Sequence, residues 1–220
     1  MKKLFFFLLF FVANVVPMIA SDIEVGGIWY NFDNSTQTAE VTFRGADYDS
    51  FAGEYSGSII VPKSITYNNE EFTIVSIGDY AFWNCPKLTS ISIPETIKYL
   101  GANAFWNCSY LESVYIDDLA AWFSILGSGS DSSPLAVGIY VNTKLYVGGE
   151  LLTDLVIPEG ITNIRSEALR GCGSLESVII PDGVKSIEWG AFYDCDNLSS
   201  AIIGSNVTKI ESGVFYDCEN

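Results

Sequence analysis

The chain has 220 residues, with 27 acidic against 11 basic side chains, a formal net charge of −16, five cysteines and no histidine. Without histidine there is no Ser-His-Asp or Cys-His nucleophile system, no HExxH zinc site and no imidazole base. The acid surplus repels phosphate and sets nucleic acid aside as a partner, and a 49% hydrophobic content is too apolar for a disordered chain.

Residues 1–20 open with Lys2 and Lys3, continue with the unbroken apolar run Leu4–Val12 and end in small and polar residues. Such a run is short of the ~20 apolar residues that cross a bilayer. The pattern is that of a secretory signal peptide cut near Ala20–Ser21, with Met18 where a small residue is preferred; an uncleaved anchor is the alternative. No Cys lies near the cut, against a lipoprotein, and no later segment is apolar enough to span. Losing the two lysines makes the charge about −18. The expected location is secreted or cell-surface.

In residues 21–57, Ile23, Val25, Ile28, Trp29, Tyr30 and Phe32 form an apolar stretch split by Gly26-Gly27, and Ala39, Val41 and Phe43 alternate. With turn chemistry at Asp33-Asn34-Ser35, this predicts a small antiparallel sheet. Residues 58–80 follow with Ile59-Ile60-Val61-Pro62, a loop at Tyr67–Glu71 and Val75-Ser76-Ile77-Gly78.

From there a repeat dominates. Cysteines at 85, 108, 172, 195 and 218 are spaced by 23 residues within each group, and 64 residues separate Cys108 from Cys172. Ala81-Phe82-Trp83-Asn84-Cys85 recurs at 104–108, 168–172, 191–195 and 214–218. Leu88, Leu111, Leu175 and Leu198 follow the cysteines, and then Ser90-Ile91-Ser92-Ile93-Pro94 and its counterparts. A fixed period of this length marks a stacked repeat. The Ile-x-Ile alternation predicts a short strand with two inward side chains, and Pro ends its ladder. The Ala-Phe-x-x-Cys segment is expected to be a short helical turn aiming Phe and Cys into a shared core.

The interval between the groups holds an insert at 117–151. Leu119, Trp122, Phe123 and Leu126 have helical spacing, Gly127 to Ser133 is a polar loop, and Val137–Val141 and Lys144–Val147 read as strands before the Gly148-Gly149 turn. The insert is expected to keep the register and to bulge outward. Repeats resume at Leu152-Thr153-Asp154-Leu155-Val156-Ile157-Pro158 and run to 220, where the sequence stops inside a repeat and is read as truncated.

This unit resembles the BspA-type leucine-rich repeat, over roughly 58–116 and 152–220, with Leu169 and Val214 in place of the usual Phe and Ala, and Asp117 and Gly204 in place of the usual Pro. The resemblance implies an α+β repeat solenoid, a right-handed coil of ~23-residue units with short strands and helical turns. It also implies that residues 21–57 are an N-terminal β cap and that the insert belongs to the family. Proteins of this kind are described as surface adhesins that bind host extracellular matrix or other cells.

Two outward columns are the candidate binding residues. The middle of the strand gives Ile60, Ser92, Tyr115, Val156, Ile179 and Ile202. The residue after Phe gives Trp83, Trp106, Arg170, Tyr193 and Tyr216. Exposed apolar stripes mark binding surfaces, although β-propensity alone also places Ile, Val and Tyr in strands. The cysteines are expected to be buried reduced thiols, because side chains on stacked repeats run parallel at ~4.8 Å while a disulfide needs Cβ atoms converging to ~3.8 Å. The scattered acids are expected to be surface charge. No catalytic residue, metal site or cofactor is assigned. The expected function is protein–protein or cell adhesion through a repetitive face. A glycan-binding or scaffold module of a larger secreted enzyme, or a structural spacer, is the alternative.

Overall fold

The computed structural model describes residues 23–50, 52–127, 132–137 and 142–219. The predicted signal peptide, and most of the predicted polar loop and of the Val137–Val141 strand, lie outside the described residues. Strands predominate. β1 (Glu24–Val25), β2 (Ile28–Asp33) and β3 (Thr38–Thr42) pair antiparallel in sequence order. β4 (Gly57–Ile60) follows, and then the hairpin of β5 (Ser64–Tyr67) and β6 (Glu70–Ile77). Asn68 and Asn69 turn that hairpin with φ of 53° and 65°, the left-handed conformation that Asn tolerates.

Each later repeat supplies a longer strand and a two-residue strand. The longer ones are β7 (Leu88–Ile93), β9 (Ser113–Ile116), β13 (Asp154–Val156), β15 (Ser177–Ile180) and β17 (Ser200–Ile203). The short ones are β8 (Tyr99–Leu100), β10 (Leu126–Gly127), β14 (Asn163–Ile164), β16 (Ser186–Ile187) and β18 (Lys209–Ile210). The insert adds α1 (Leu119–Ser124) and the hairpin β11 (Lys144–Val147) with β12 (Glu150–Leu151). Among the described residues four sheets result: β1-β2-β3-β6-β8-β10 with β5 on β6, β12-β11-β9-β7-β4, β13-β15-β17 and β14-β16-β18. Strands from successive repeats pair in parallel, for example Ser90↔Ser113 and Ile93↔Ile116.

The strand alternation sends Ile91, Ile93, Val114, Ile116, Val178 and Ile180 into one continuous core. Phe82 stacks on Phe105 at 5.1 Å and Phe192 on Phe215 at 5.4 Å. Full burial of Phe82, Phe105 and Phe192 is worth ~1.5–3 kcal/mol each, and half-buried Phe215 contributes less. Gly204 keeps the turn that Pro makes elsewhere: Val207 N donates to Gly204 O at 3.3 Å, as Val184 N does to Pro181 O at 3.1 Å. A Cβ at 204 would sit 2.7 Å from the Pro181 carbonyl carbon, so the close approach requires glycine.

Three expectations are corrected. The Ala-Phe-x-x-Cys segments are successive β-turns, not helical turns. Tyr80, Asn84, Asn103, Asn107, Glu167, Asp194 and Asp217 there have positive φ, which no right-handed helix accommodates. Their N–H groups instead bond across repeats, as Phe82 N does to Ala104 O and Leu169 N to Ala191 O, both at 2.8 Å. Next, the insert does not simply bulge outward. Trp122, Phe123, Ile125 and Leu135 are core residues, and β11 and β10 extend existing sheets by pairing with β9 and β8. Finally, the insert helix is shorter than its apolar spacing suggested. Asp118 caps α1 by accepting from Ala121 N at 2.7 Å, and Leu126 lies in β10 with its side chain exposed.

Candidate functional site

The outer face of the longer strands is built by period-two alternation. With Ile91 and Ile93 turned inward, Ser90 and Ser92 turn outward, and the parallel register aligns their counterparts. Ile60, Ser92, Tyr115 and Tyr146 are successive partners, and Leu151 pairs with Tyr146 across the hairpin. Val156, Ile179 and Ile202 form a second row in the β13-β15-β17 sheet. Ile60 is 70% exposed, Val156 58%, Ile202 59%, Ile179 41% and Tyr115 37%, whereas inward residues of the same strands such as Ile91 and Val178 are at 0–1%. The predicted column is therefore two rows, and the residue beside Tyr115 is Tyr146, not Val156. Their rings stack at 4.7 Å and 19°.

Sequence reasoning missed Tyr146 and Leu151. The signal was present: Lys144-Leu145-Tyr146-Val147 alternates like Ser113-Val114-Tyr115-Ile116, and aligning Leu145 with Val114 gives the observed register. The neighbouring outward row is hydroxyl-rich. Ser90 Oγ donates to Ser58 Oγ at 2.7 Å, and Ser177 Oγ donates to Asp154 Oδ1. The bonds from Ser177 and Thr153 hold the Asp154 carboxyl below its usual pKa.

The second predicted column is brought together in two groups. Trp83 stacks face to face on Trp106 at 4.1 Å and 12°, and Tyr48 meets Trp83 edge-on at 5.2 Å. Arg170 lies over Tyr193 at 4.9 Å, and Tyr193 stacks on Tyr216 at 5.3 Å. Arg170 is itself tied to buried Glu167 at 2.7 Å. Trp83 and Tyr193 are half-buried, while Trp106 and Tyr216 are exposed. In each stack a ring face is covered by the neighbouring repeat's side chain, so the pairs link adjacent repeats, while Trp106 and Tyr216 keep ring area open to solvent.

The five cysteines are free. Cys108 Sγ donates to Phe82 O, Cys195 Sγ to Leu169 O and Cys218 Sγ to Phe192 O, each at 3.2 Å. Burial pushes these thiols up. Among the described residues no group of three or more Cys, Asp or Glu is placed to hold a metal ion. A shallow, solvent-open hollow between Ile93, Glu95, Asp117 and Trp122 has a volume of only about 10 Å³, far below the ~300 Å³ of an ordinary small-molecule site.

A family model described as "BspA type Leucine rich repeat region" matches this chain in six copies, over residues 30–122 and 140–220. The chain belongs to the BspA-type leucine-rich repeat family. Among solved structures it is similar to a leucine-rich repeat protein from Bacteroides ovatus, at 30% identity and a TM-score of 0.56, covering 90% of this chain and 51% of that one. It is also similar to a leucine-rich cell surface protein from Faecalibacterium prausnitzii, at 25% identity and a TM-score of 0.50, covering 89% and 52%. A leucine-rich repeat protein from T. pallidum, at 22% identity and a TM-score of 0.52 over 90% and 89%, shares the fold. The chain thus spans about half the length of the first two. No curated protein matches it. The BspA-type assignment accords with the strand-rich repeat fold and with a protein-binding surface as the general role.

Proposed function

We propose that this chain is a secreted or cell-surface binding protein that attaches to another protein, on the extracellular matrix or on another cell, through the outer face of its longer strands. The observation that carries the reading is the pair of outward rows, Ile60–Tyr115 with half-buried Tyr146 beside it, and Val156–Ile179–Ile202. These are apolar side chains left open on strands whose inward faces are packed in the middle of the array, at Ile91, Val114, Leu145, Leu155 and Val178, and partly open at β4 and β17. Each repeat offers one small contact, and repetition on a stiff array sums them. In this reading residues 58–116 and 152–220 are a solenoid, residues 21–57 its β cap and 117–151 a structured insert. The Trp83–Trp106 and Tyr193–Tyr216 pairs act as braces, and no catalysis is required. The name of the F. prausnitzii cell surface protein supports the extracellular placement.

The test is adhesion of the purified full chain to immobilised matrix proteins and to cells, beside the double variant Tyr115→Ser/Ile179→Ser. The expected result is loss of adhesion with an unchanged circular-dichroism melt. Unchanged adhesion with a retained fold removes this face, and selective binding on a glycan array that is lost with Trp106→Ala transfers the role to the aromatic turn.

A further inference from the structure

Both strand ladders of the array stop at the same place. The longer-strand ladder ends at β12 and starts afresh at β13, and the short-strand ladder ends at β10 and starts afresh at β14. Among the described residues one isolated bridge, Thr143↔Cys172, spans the break, and beside it Gly173 N donates to Thr143 O at 3.0 Å. Side chains make the other crossing bonds, from Trp122 Nε1 to Ala168 O at 3.0 Å and from Leu145 N to Ser174 Oγ at 3.2 Å. Elsewhere a single turn does as much with its main chain. Tyr80, Phe82 and Asn84 N donate to Ala102, Ala104 and Trp106 O of the next repeat at 3.1, 2.8 and 2.8 Å, and the paired strands add their own bonds.

The break is also where polar side chains are buried. Of the buried polar residues among the described ones, Ser132, Ser133, Thr143, Glu167 and Ser174 lie beside it, and Thr42 lies elsewhere. Thr143 Oγ1 donates to Leu111 O at 3.0 Å, Ser133 Oγ accepts from Leu135 N at 3.3 Å and Glu167 pairs with Arg170. These groups are satisfied on their own side, so relative movement does not strip them of partners. Gly171 stands where Asn84 and Asn107 stand, without the amides that tie those two at 2.6 Å. A Cβ at Gly171 would run into Leu135 O and one at Gly173 into Asn142, so backbone meets its neighbour with no interlocked side chain. The apolar core is continuous across the break and keeps the two parts together, but apolar contact is non-directional. The directional bonds all reach the second part within Ala168–Ser174, and no pairing joins β12 to β13 among the described residues.

We infer that the array is two stiff parts hinged at the insert, with the turn Ala168–Ser174 as pivot, and that the hinge sets how the two outward rows are presented to one partner. Ile60 and Tyr115 belong to the first part, and Val156, Ile179 and Ile202 to the second. A swing about the pivot changes the gap between β12 and β13, and with it the angle between the rows, while the register inside each row stays fixed. A partner that touches both rows therefore selects one hinge angle. The presentation of the rows rests on the strand face being the binding face; the hinge itself does not.

Paired spin labels on the full chain test this, with Cys218→Ser removing the half-buried native thiol. One pair, Thr89→Cys with Ser212→Cys, crosses the break, and another, Glu159→Cys with Ser212→Cys, lies within the second part; all of these side chains are exposed. Pulsed dipolar spectroscopy is expected to give a distance distribution at least about twofold wider for the crossing pair. Ser174→Ala removes a crossing bond and leaves the ladders intact. It is expected to widen the crossing distribution further and to leave the other pair unchanged, with a thermal melt showing that the fold is kept. Equal widths for the two pairs, or a crossing width indifferent to Ser174→Ala, overturn the hinge. If the widths are equal while Tyr115→Ser/Ile179→Ser abolishes adhesion, the strand-face reading stands and only the hinge falls. If the crossing pair is wide and that double variant adheres normally, the hinge stands and its role in presenting the rows falls.

Discussion

The indole Nε1 of Trp122 donates to the main-chain oxygen of Ala168, 3.0 Å away and 46 residues further along the chain. Trp122 belongs to α1, inside the insert, whereas Ala168 opens the first turn of the second group of repeats. Where the short-strand ladder passes from β8-β10 to the separate β14-β16-β18 sheet, this side chain joins the two parts of the core.

Trp122 is fully buried, so Trp122→Ala is expected to cost ~3–5 kcal/mol. Trp122→Phe keeps most of the apolar area but leaves the Ala168 oxygen without its donor, for a loss of ~1–3 kcal/mol. Urea denaturation measures both. A second transition in the Ala variant would show the two groups of repeats unfolding apart, and equal losses in the two variants would assign the energy to the hydrogen bond.

Arg165 lies over the same indole, with Cζ 5.5 Å from the ring centroid. Nη1 donates to Ser166 O at 3.3 Å, while Nε and Nη2 are buried without a hydrogen-bond partner. Burial lowers the guanidinium to about 10, with Glu167 and Glu188 opposing the shift. A base whose pKa falls on folding destabilises the fold wherever it is charged in both states, and the penalty fades only as pH rises through about 10 toward the unfolded value. Arg165→Met is therefore expected to gain ~1 kcal/mol in urea melts, a gain that stays flat from about pH 6 to 9. A destabilised Met variant would mean that the indole and the two glutamates outweigh desolvation.

Lys63 bridges two repeats, with Nζ 2.7 Å from Glu95 Oε1 and 3.3 Å from Asp117 Oδ2. The hydrogen bond from Lys63 holds the Glu95 carboxyl down at about 2. A carboxylate whose pKa falls on folding stabilises the fold above its unfolded value, and the benefit disappears as pH drops through the folded one. The stability difference between wild type and Lys63→Met is expected to be constant from about pH 5 to 8, and to shrink between 4.5 and about 2. The groups are exposed, so added salt should reduce the difference at neutral pH. A difference insensitive to acid would contradict the bridge.

Cys85, Cys108, Cys172 and Cys195 are buried and Cys218 is half-buried. Under native conditions a thiol-reactive chromogen is expected to modify Cys218 first and slowly, because desolvation raises its pKa. All five should react in denaturant. Rapid native reaction of two or more thiols would contradict the packing.

Much of this was legible in the sequence, because a repeated unit reports the same physics several times. Ile91 and Ile93 alternate as a strand does, and so do their counterparts, so inside and outside were assigned correctly. The Ala-Phe-x-x-Cys turn was misread because Asn84, Asn107, Asp194 and Asp217 tolerate positive φ individually, and the acceptors for the Asn84 and Asp194 N–H groups, Trp106 O and Tyr216 O, come from the stacked neighbour. Arg165 gave no sign, since it stands where Glu188 and Glu211 stand in later repeats. Those two accept hydrogen bonds from Ser166 N and Trp189 N in the preceding repeat, whereas Arg165 meets Trp122. Tyr146 and Leu151 were overlooked because register across the insert follows strand pairing, which the local alternation at Lys144–Val147 signals and the 23-residue count does not.

The thiol-to-carbonyl bonds of Cys108, Cys195 and Cys218 have a consequence for how this molecule can be made. Each sulfur is pointed at a main-chain oxygen of the preceding repeat, not at another sulfur. The fold therefore asks nothing of an oxidant or a disulfide isomerase, and the same conformer should form in a reducing cytoplasm and in an oxidising exterior.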